Sequence, residues 1–210
     1  MKILILGAGN MGSAFARQFS RAGHDVRIAA TSLAKAQSVA SAAPGVTAVP
    51  VVGSAKDVDV VLVATPFEQA APALASVGSL DGKVVIDITN PLTPDYMGLT
   101  IGHGTSAAEE IAKASPAAEV VKAFNTLFAQ VVAEGPAFAN AQVAPVFVAS
   151  DSPRAKARAK ALAESIGFDV IDAGGLKNAR YLEPLAGLNI YLGYGAGQGT
   201  AIAPTFIRRA

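Results

Sequence analysis

Gly7, Gly9 and Gly12 stand on the spacing G-x-G-x-x-G, directly behind the aliphatic run Lys2 to Leu6. That spacing suits a cradle for two linked phosphates. Gly7 permits a tight turn, Gly9 lets the main chain come close to a pyrophosphate, and Gly12 lets the following helix pack against the strand. Asn10 and Met11 fill the rest of the turn. The helix behind it directs free N–H groups and its positive end at the phosphates.

Other residues with chemical potential are few. There is no cysteine, and His24 and His103 are the only histidines. Disulfides, thiolate catalysis and a histidine-rich metal site are therefore excluded, and no metal site is expected. No Ser/His/Asp set stands out. His103, between Gly102 and Gly104, could hydrogen-bond an acceptor carbonyl, or it is an exposed loop histidine. Asn125, beside Phe124 at the end of an apolar run, could bind a ring edge while Phe124 packs, or its amide closes a turn. These two are the candidates for direct participation in a reaction.

The elements that position these residues follow from hydrophobic periodicity and turn chemistry. Lys2 to Leu6, Asp25 to Ala29, Val46 to Val52, Val58 to Ala64, Val84 to Ile88, Glu119 to Ala123, Pro145 to Ala149 and Asp169 to Asp172 read as eight strands. Helical segments alternate with them, one opened by Thr65-Pro66-Phe67-Glu68 and another by Ser106-Ala-Ala-Glu109, both with capping-box spacing. The last long helix covers Asn178 to about Tyr191, and a tail with glycines at 193, 195, 197 and 199 follows.

This rhythm predicts an α/β, Rossmann-type, doubly wound, mainly parallel sheet of about eight strands with a small C-terminal helical segment. We divide it into a dinucleotide-binding domain over residues 1–150 and a small extension over 151–210 that completes an acceptor site. Ligands in such sheets sit beyond the carboxyl ends of the strands. Those ends are Gly7 to Gly12, Ala30 to Ser32, Ala64-Thr65-Pro66 and Thr89-Asn90-Pro91.

The corner after the second strand discriminates between dinucleotides. NAD enzymes place an acid there to hold both ribose hydroxyls. Here the corner reads Ala30-Thr31-Ser32-Leu33-Ala34-Lys35, without an acid to repel a 2′-phosphate. Thr31 and Ser32 offer hydroxyls at a helix start, and Lys35 lies one turn on. The expected cofactor is NADP(H).

A formal net charge of +1 over 210 residues gives no bulk field for nucleic acid or a membrane surface. The apolar N-terminal run is broken by the glycines and Asn10, which the dinucleotide turn explains better than a leader peptide does. The uncharged stretch Pro184 to Ile207 holds Asn189, Gln198, Pro204 and several glycines, too polar and broken for a membrane span. The expectation is a cytoplasmic protein, with a possible homodimer contact through the last helix.

Six segments occur in a telling order: Gly7-Ala-Gly-Asn-Met-Gly12, Ala64-Thr65-Pro66, Ile88-Thr-Asn-Pro91, Ser106-Ala-Ala-Glu109, Val121-Lys-Ala-Phe-Asn-Thr126 and Asp172-Ala-Gly-Gly-Leu-Lys-Asn-Ala-Arg180. In these the chain resembles the NADPH-dependent reductases of the deazaflavin coenzyme F-420. It is also similar to the reductase domain of six-transmembrane ferric reductases, which pairs NADPH with a flavin. The resemblance implies that residues 7–12 bind pyrophosphate and that Thr31, Ser32 and Lys35 take the 2′-phosphate. It implies further that Thr65, Pro66, Asn90 and Pro91 line the inner ribose and nicotinamide, and Ala64, which ends the same strand as Thr65, is counted with them as cofactor-binding. Phe124, Asn125 and Thr126 would lie beside the second ring. The family typically carries Ser-Arg-Arg where this chain has Ala30-Thr31-Ser32.

The implied activity is hydride transfer between NADPH and a small-molecule electron acceptor, a deazaflavin or flavin. Such transfer needs two rings held about 3–3.5 Å apart in a water-poor pocket more than it needs acid–base groups. Two alternatives stand beside it. One is a small imine or carbonyl reductase of the pyrroline-carboxylate reductase type, which adds a long helical dimerisation domain that this chain has little room for after Asp172. The other is a non-catalytic NADP(H) sensor.

Overall fold

The computed structural model describes residues 1–207 and 209. Six strands form one parallel sheet: β1 (Lys2–Leu6), β2 (Asp25–Ala29), β3 (Val46–Ala48), β4 (Val60–Val63), β5 (Val84–Asp87) and β6 (Glu119–Lys122). They lie in the order β3-β2-β1-β4-β5-β6, the doubly wound order that reverses direction between β1 and β4.

The aliphatic runs are explained by burial on both faces. Ile3 and Ile5 of β1 enter one core with Phe15 and Phe19 of α1 (Asn10–Arg21). Leu4 and Leu6 enter the other core with Ala70 and Leu74 of α3 (Phe67–Ser76). The glycine turn is held by packing. A Cβ on Gly12 would stand 1.9 Å from the Gly7 carbonyl oxygen, and one on Gly7 would stand 2.3 Å from the Ala64 carbonyl oxygen.

The expectation of eight strands in one sheet needs correcting. Eight strands form, but β7 (Pro145–Val148) and β8 (Asp169–Asp172) make a separate parallel pair. It meets the main sheet through a single antiparallel bridge, Lys122 to Ala149. The cause is local. β6 ends at Lys122, and Phe124 two residues on adopts φ +60°, so the chain turns away before a further ladder can extend. Helix α6 (Pro153–Ser165) lies over this junction, capped by Ser152, whose Oγ accepts from the Ala155 N–H at 3.1 Å.

Two other boundaries differ. The third strand is three residues long, because Pro50 and Gly53 break the run Val46 to Val52. The last helix, α7 (Ala179–Ile190), runs on into a π-type turn over Tyr191–Gly195. Gly193 and Gly195 belong to that turn because side chains would not fit: a Cβ would lie 2.6 Å from the Phe128 ring or 2.8 Å from the Tyr191 ring. Among the described residues no helix is long and apolar enough to cross a membrane.

Candidate functional site

A cleft of about 940 Å³ opens along the carboxyl ends of β1, β4 and β5. Gly9, Asn10 and Met11 form one wall, Thr65 and Pro66 follow, and Thr89 and Asn90 stand at its centre. Asn125, Thr126 and Phe128 continue it toward Ala186, Asn189 and Ile190 of α7 and Tyr194 of the π turn. Tyr96, from the long loop after Pro91, reaches the rim.

The glycine wall fits an anion. Gly9 is the N-cap of α1 and supplies no side-chain cap, and no acid occupies the first helical turn. The first N–H groups therefore remain available. A Cβ on Gly9 would meet nothing within 4 Å, so the open space above that residue can take an approaching group.

The Thr65 box does not form. Thr65 precedes a proline, which disfavours helical backbone at that position, and Pro66 itself is the N-cap at φ −54°, ψ 149°. The helix begins at Phe67, so Glu68 sits one position too early to close the box. The Thr65 hydroxyl is left without a partner. It is one of four. Among the described residues the buried side-chain atoms lacking a hydrogen bond are Thr65 Oγ1, Thr89 Oγ1, Asn125 Oδ1 and Thr126 Oγ1, and all four residues line this cleft. An unpaired buried polar atom costs roughly 1–3 kcal/mol. Four of them around one cavity leave hydrogen-bonding capacity facing a single space, which a ligand or water can complete.

Beneath the cleft lining, behind Thr89, lies a buried polar network absent from the expectations above. Lys122, wholly buried, donates from Nζ to Asp87 Oδ2 at 2.8 Å and to the Thr89 carbonyl at 2.6 Å, and pairs with Glu183 Oε1 at 2.8 Å. Asp87 Oδ1 accepts from the Thr89 N–H at 2.8 Å. The Glu183 carboxylate also accepts from the N–H groups of Ala107 and Ala108 at the start of α4 (Ala107–Ala114). One buried lysine thus joins β5, α4 and α7. The sequence shows only that a lone charge closes each of the apolar strands Val-Val-Ile-Asp87 and Val-Val-Lys122, not that the two meet each other or Glu183.

Arg180 adds a second clamp, donating to both oxygens of Glu109 at 2.8 and 2.7 Å. The Ser106 box is also present, with Ser106 Oγ accepting from the Glu109 N–H at 3.2 Å. The Glu109 carboxyl is held below its ordinary value, chiefly by the Arg180 hydrogen bonds, against a smaller opposing effect of burial and with help from Ser106. A carboxylate whose folded pKa is depressed contributes stability above its unfolded value, here 4.5, and loses it as pH falls through the folded one. The difference in melting temperature between wild type and Arg180→Gln should therefore be full near pH 6 and shrink toward about pH 3, as thermal melts across that range will show.

Of the other expected site residues, several stand outside the cleft lining. Phe124 does not line the cleft: it is fully buried and edge-on to Phe15, with centroids 5.0 Å apart. Its positive φ turns the side chain inward and delivers Asn125 to the cavity. Pro91 is buried behind the wall, its carbonyl accepting from Thr100 N–H at 2.7 Å. His103 is exposed at φ +55°, and its carbonyl accepts from Arg180 at 3.3 Å. It does not reach the cleft. Thr31 and Lys35 are exposed and Ser32 half-buried at the end of β2, next along the sheet edge from the glycine turn. Ser32 stands at the N-cap of α2 (Leu33–Ser41) without capping it through its side chain. Tyr96 lies in a loop, where an exposed aromatic carries no periodic signal, and Tyr194 lies in the π turn beyond α7.

Four similarities bear on this arrangement. Residues 2–91 match the family "NADP oxidoreductase coenzyme F420-dependent". The F420-dependent NADP reductase of Methanothermobacter marburgensis is 31% identical, over 91% of this chain and 92% of that protein. The metalloreductase STEAP3 of Rattus norvegicus is 32% identical over 60% of this chain, which spans only 25% of that longer protein. A crystal structure of a provisionally assigned F420-dependent NADP reductase from Arthrobacter sp. FB24 superposes with a TM-score of 0.89 at 31% identity, covering 99% of this chain and all of that one. Full-length similarity at this level, on a doubly wound sheet, places the chain in the family of coenzyme F420-dependent NADP oxidoreductases.

Proposed function

We propose that the cleft binds NADP(H) and holds a deazaflavin or flavin against its nicotinamide, so that hydride passes between the two rings. The observation that carries this reading is the set of four unpaired buried oxygens around one cavity that begins at an open glycine turn. NADPH supplies the hydride; the chain supplies position. Gly9, Asn10 and Met11 cradle the pyrophosphate with main-chain N–H groups, while Gly7 and Gly12 keep that turn tight. Thr31, Ser32 and Lys35 take the 2′-phosphate. Lys35 has no carboxylate partner among the described residues, which leaves its charge free for that role. Thr65, Pro66 and Asn90 border the inner ribose and nicotinamide, and Asn125 and Thr126 border the acceptor.

Residues 1–150 would then carry the nucleotide, and 151–210 would close the acceptor side through α7. Glu68, exposed, is the one carboxylate lining the cleft among the described residues, and hydride transfer itself asks no proton of the protein. A flavin or deazaflavin acceptor fits this better than an imine, whose reduction calls for a positioned proton. We place the enzyme in the cytoplasm.

The test is direct. Mixing the protein with NADPH and either FMN or a deazaflavin should bleach the nicotinamide absorbance. Tight NADPH binding without turnover on either acceptor would instead support the sensor, and turnover on cyclic imines alone would support the imine reductase.

A homodimer through α7 belongs to the same proposal. Tyr181 is 74% exposed, Leu188 55% and Tyr191 50%, an apolar stripe along one helix that an isolated chain leaves in water. Light scattering should give twice the chain mass, and Leu188→Glu should halve it. A wild-type mass of one chain would refute the pairing.

A further inference from the structure

The fold settles the hydrogen-bonding sense of Asn125. Both protons on its Nδ2 are committed: one to the main-chain oxygen of Leu182 at 3.0 Å, the other to Asn90 Oδ1 at 3.0 Å. A main-chain carbonyl can only accept, so Leu182 identifies the nitrogen. Asn90 is oriented in the same way, because its Nδ2 donates to the Asn125 carbonyl at 2.9 Å. Its Oδ1 must then face Asn125. Two main-chain carbonyls thus orient both amides, and neither can flip without setting oxygen against oxygen.

What remains is Asn125 Oδ1. The residue is 4% exposed, lines the cleft, and receives no hydrogen bond on that oxygen. The neighbouring hydroxyls of Thr65 and Thr126 can donate or accept, whereas an amide oxygen can only accept. The group that meets it must carry a proton on nitrogen or oxygen.

We propose that Asn125 is a specificity-determining residue whose Oδ1 accepts an amide-type N–H from the edge of a ring bound in the cleft. This rests on the reading of the cleft as a site for nicotinamide and a flavin-like acceptor. Both rings offer that chemistry, the first in its carboxamide and the second in the imide N–H of its pyrimidine portion. Analogues that put a methyl group in place of the N–H leave the oxygen buried and unpaired, and the site discriminates against them.

Binding measured by calorimetry distinguishes the two sources without relying on turnover. One pair of probes is NADP+ and its 3-acetylpyridine analogue, in which methyl replaces the carboxamide nitrogen. The other is lumiflavin and 3-methyllumiflavin, titrated into protein saturated with NADP+. In one pair the methylated probe should bind about tenfold or more weakly to the wild-type chain. In Asn125→Ala that difference should collapse to below about twofold, because the acceptor has gone. A merely structural role would weaken both members of a pair equally and leave their ratio intact. Asn125→Ser, whose hydroxyl falls short of the amide oxygen's position, serves if the alanine chain does not fold.

Equal binding within both pairs, or a difference that persists in the variants, would overturn the assignment while leaving the hydride-transfer reading standing. Failure of NADP+ itself to bind would bring down both.

Discussion

Gly9→Val is expected to raise the Kd for NADP+ by on the order of 100-fold or more, while the fold stays intact. The two effects separate because of where this glycine stands. Its backbone, at φ −81° and ψ −169°, is extended and open to any residue. A Cβ there would touch nothing in the protein. The valine methyls would project into the cleft, where the pyrophosphate is proposed to come against the main chain. The variant gives up only the modest N-cap preference for glycine, at most about 1 kcal/mol. Gly12 offers the contrasting control. A Cβ at that position collides with the Gly7 carbonyl oxygen at 1.9 Å, so even Gly12→Ala should cost roughly 1–3 kcal/mol of stability and weaken binding through the distorted turn. Calorimetric titration together with thermal melting separates the two outcomes. A Gly9→Val chain that holds NADP+ as tightly as wild type would remove the pyrophosphate from this turn.

That contrast also shows what kind of information the sequence carries. Gly7, Gly9 and Gly12 were legible because their requirement is local: a turn, a close approach and a helix packed on a strand leave few residue types possible. The same holds for the Ser106 box and for Ser152 before Pro153, where cap and donor lie three residues apart. The Thr65 box has the same spacing and fails, because proline sets the helix start one residue later than the pattern suggests. Phe124 was ambiguous for a different reason. An aromatic at a strand end reads equally well as a ring wall or as core, and only its positive φ and the neighbouring Phe15 decide. The split of the sheet into six strands and two was invisible, because period and composition describe strands one at a time and say nothing of which neighbour each will find. Farthest from view was the network beneath the cleft lining. Asp87, Lys122 and Glu183 are far apart in the chain, and nothing in their spacing announces that they meet.

That network supports the second large prediction: Lys122→Met should destabilise the protein by about 3–5 kcal/mol, lowering the melting temperature by roughly 6–20 °C. Methionine is one heavy atom shorter than lysine but close to it in volume, so the loss is mainly electrostatic. Asp87 and Glu183 would remain buried with no cation between them. Glu183 would keep only the two N–H groups of α4, and Asp87 only the Thr89 N–H. Removing one partner of a buried ion pair costs more than the pair is worth, because the uncompensated charge stays behind. The diagnostic follows from that asymmetry. Adding Asp87→Asn and Glu183→Gln to Lys122→Met neutralises the stranded carboxylates and should restore much of the lost stability, even though three polar residues have then been changed. If the three substitutions simply added, the lysine would owe its effect to packing, and the buried charges would not be coupled. The ligand readout distinguishes a positioning role from a purely structural one. Lys122 Nζ holds the Thr89 carbonyl at 2.6 Å, and Thr89 leads directly into Asn90, whose amide orients Asn125. The stabilised triple variant should still bind NADP+ more weakly than wild type at a temperature where both are folded, because stability can be recovered by neutralising charge but the grip on Thr89 cannot.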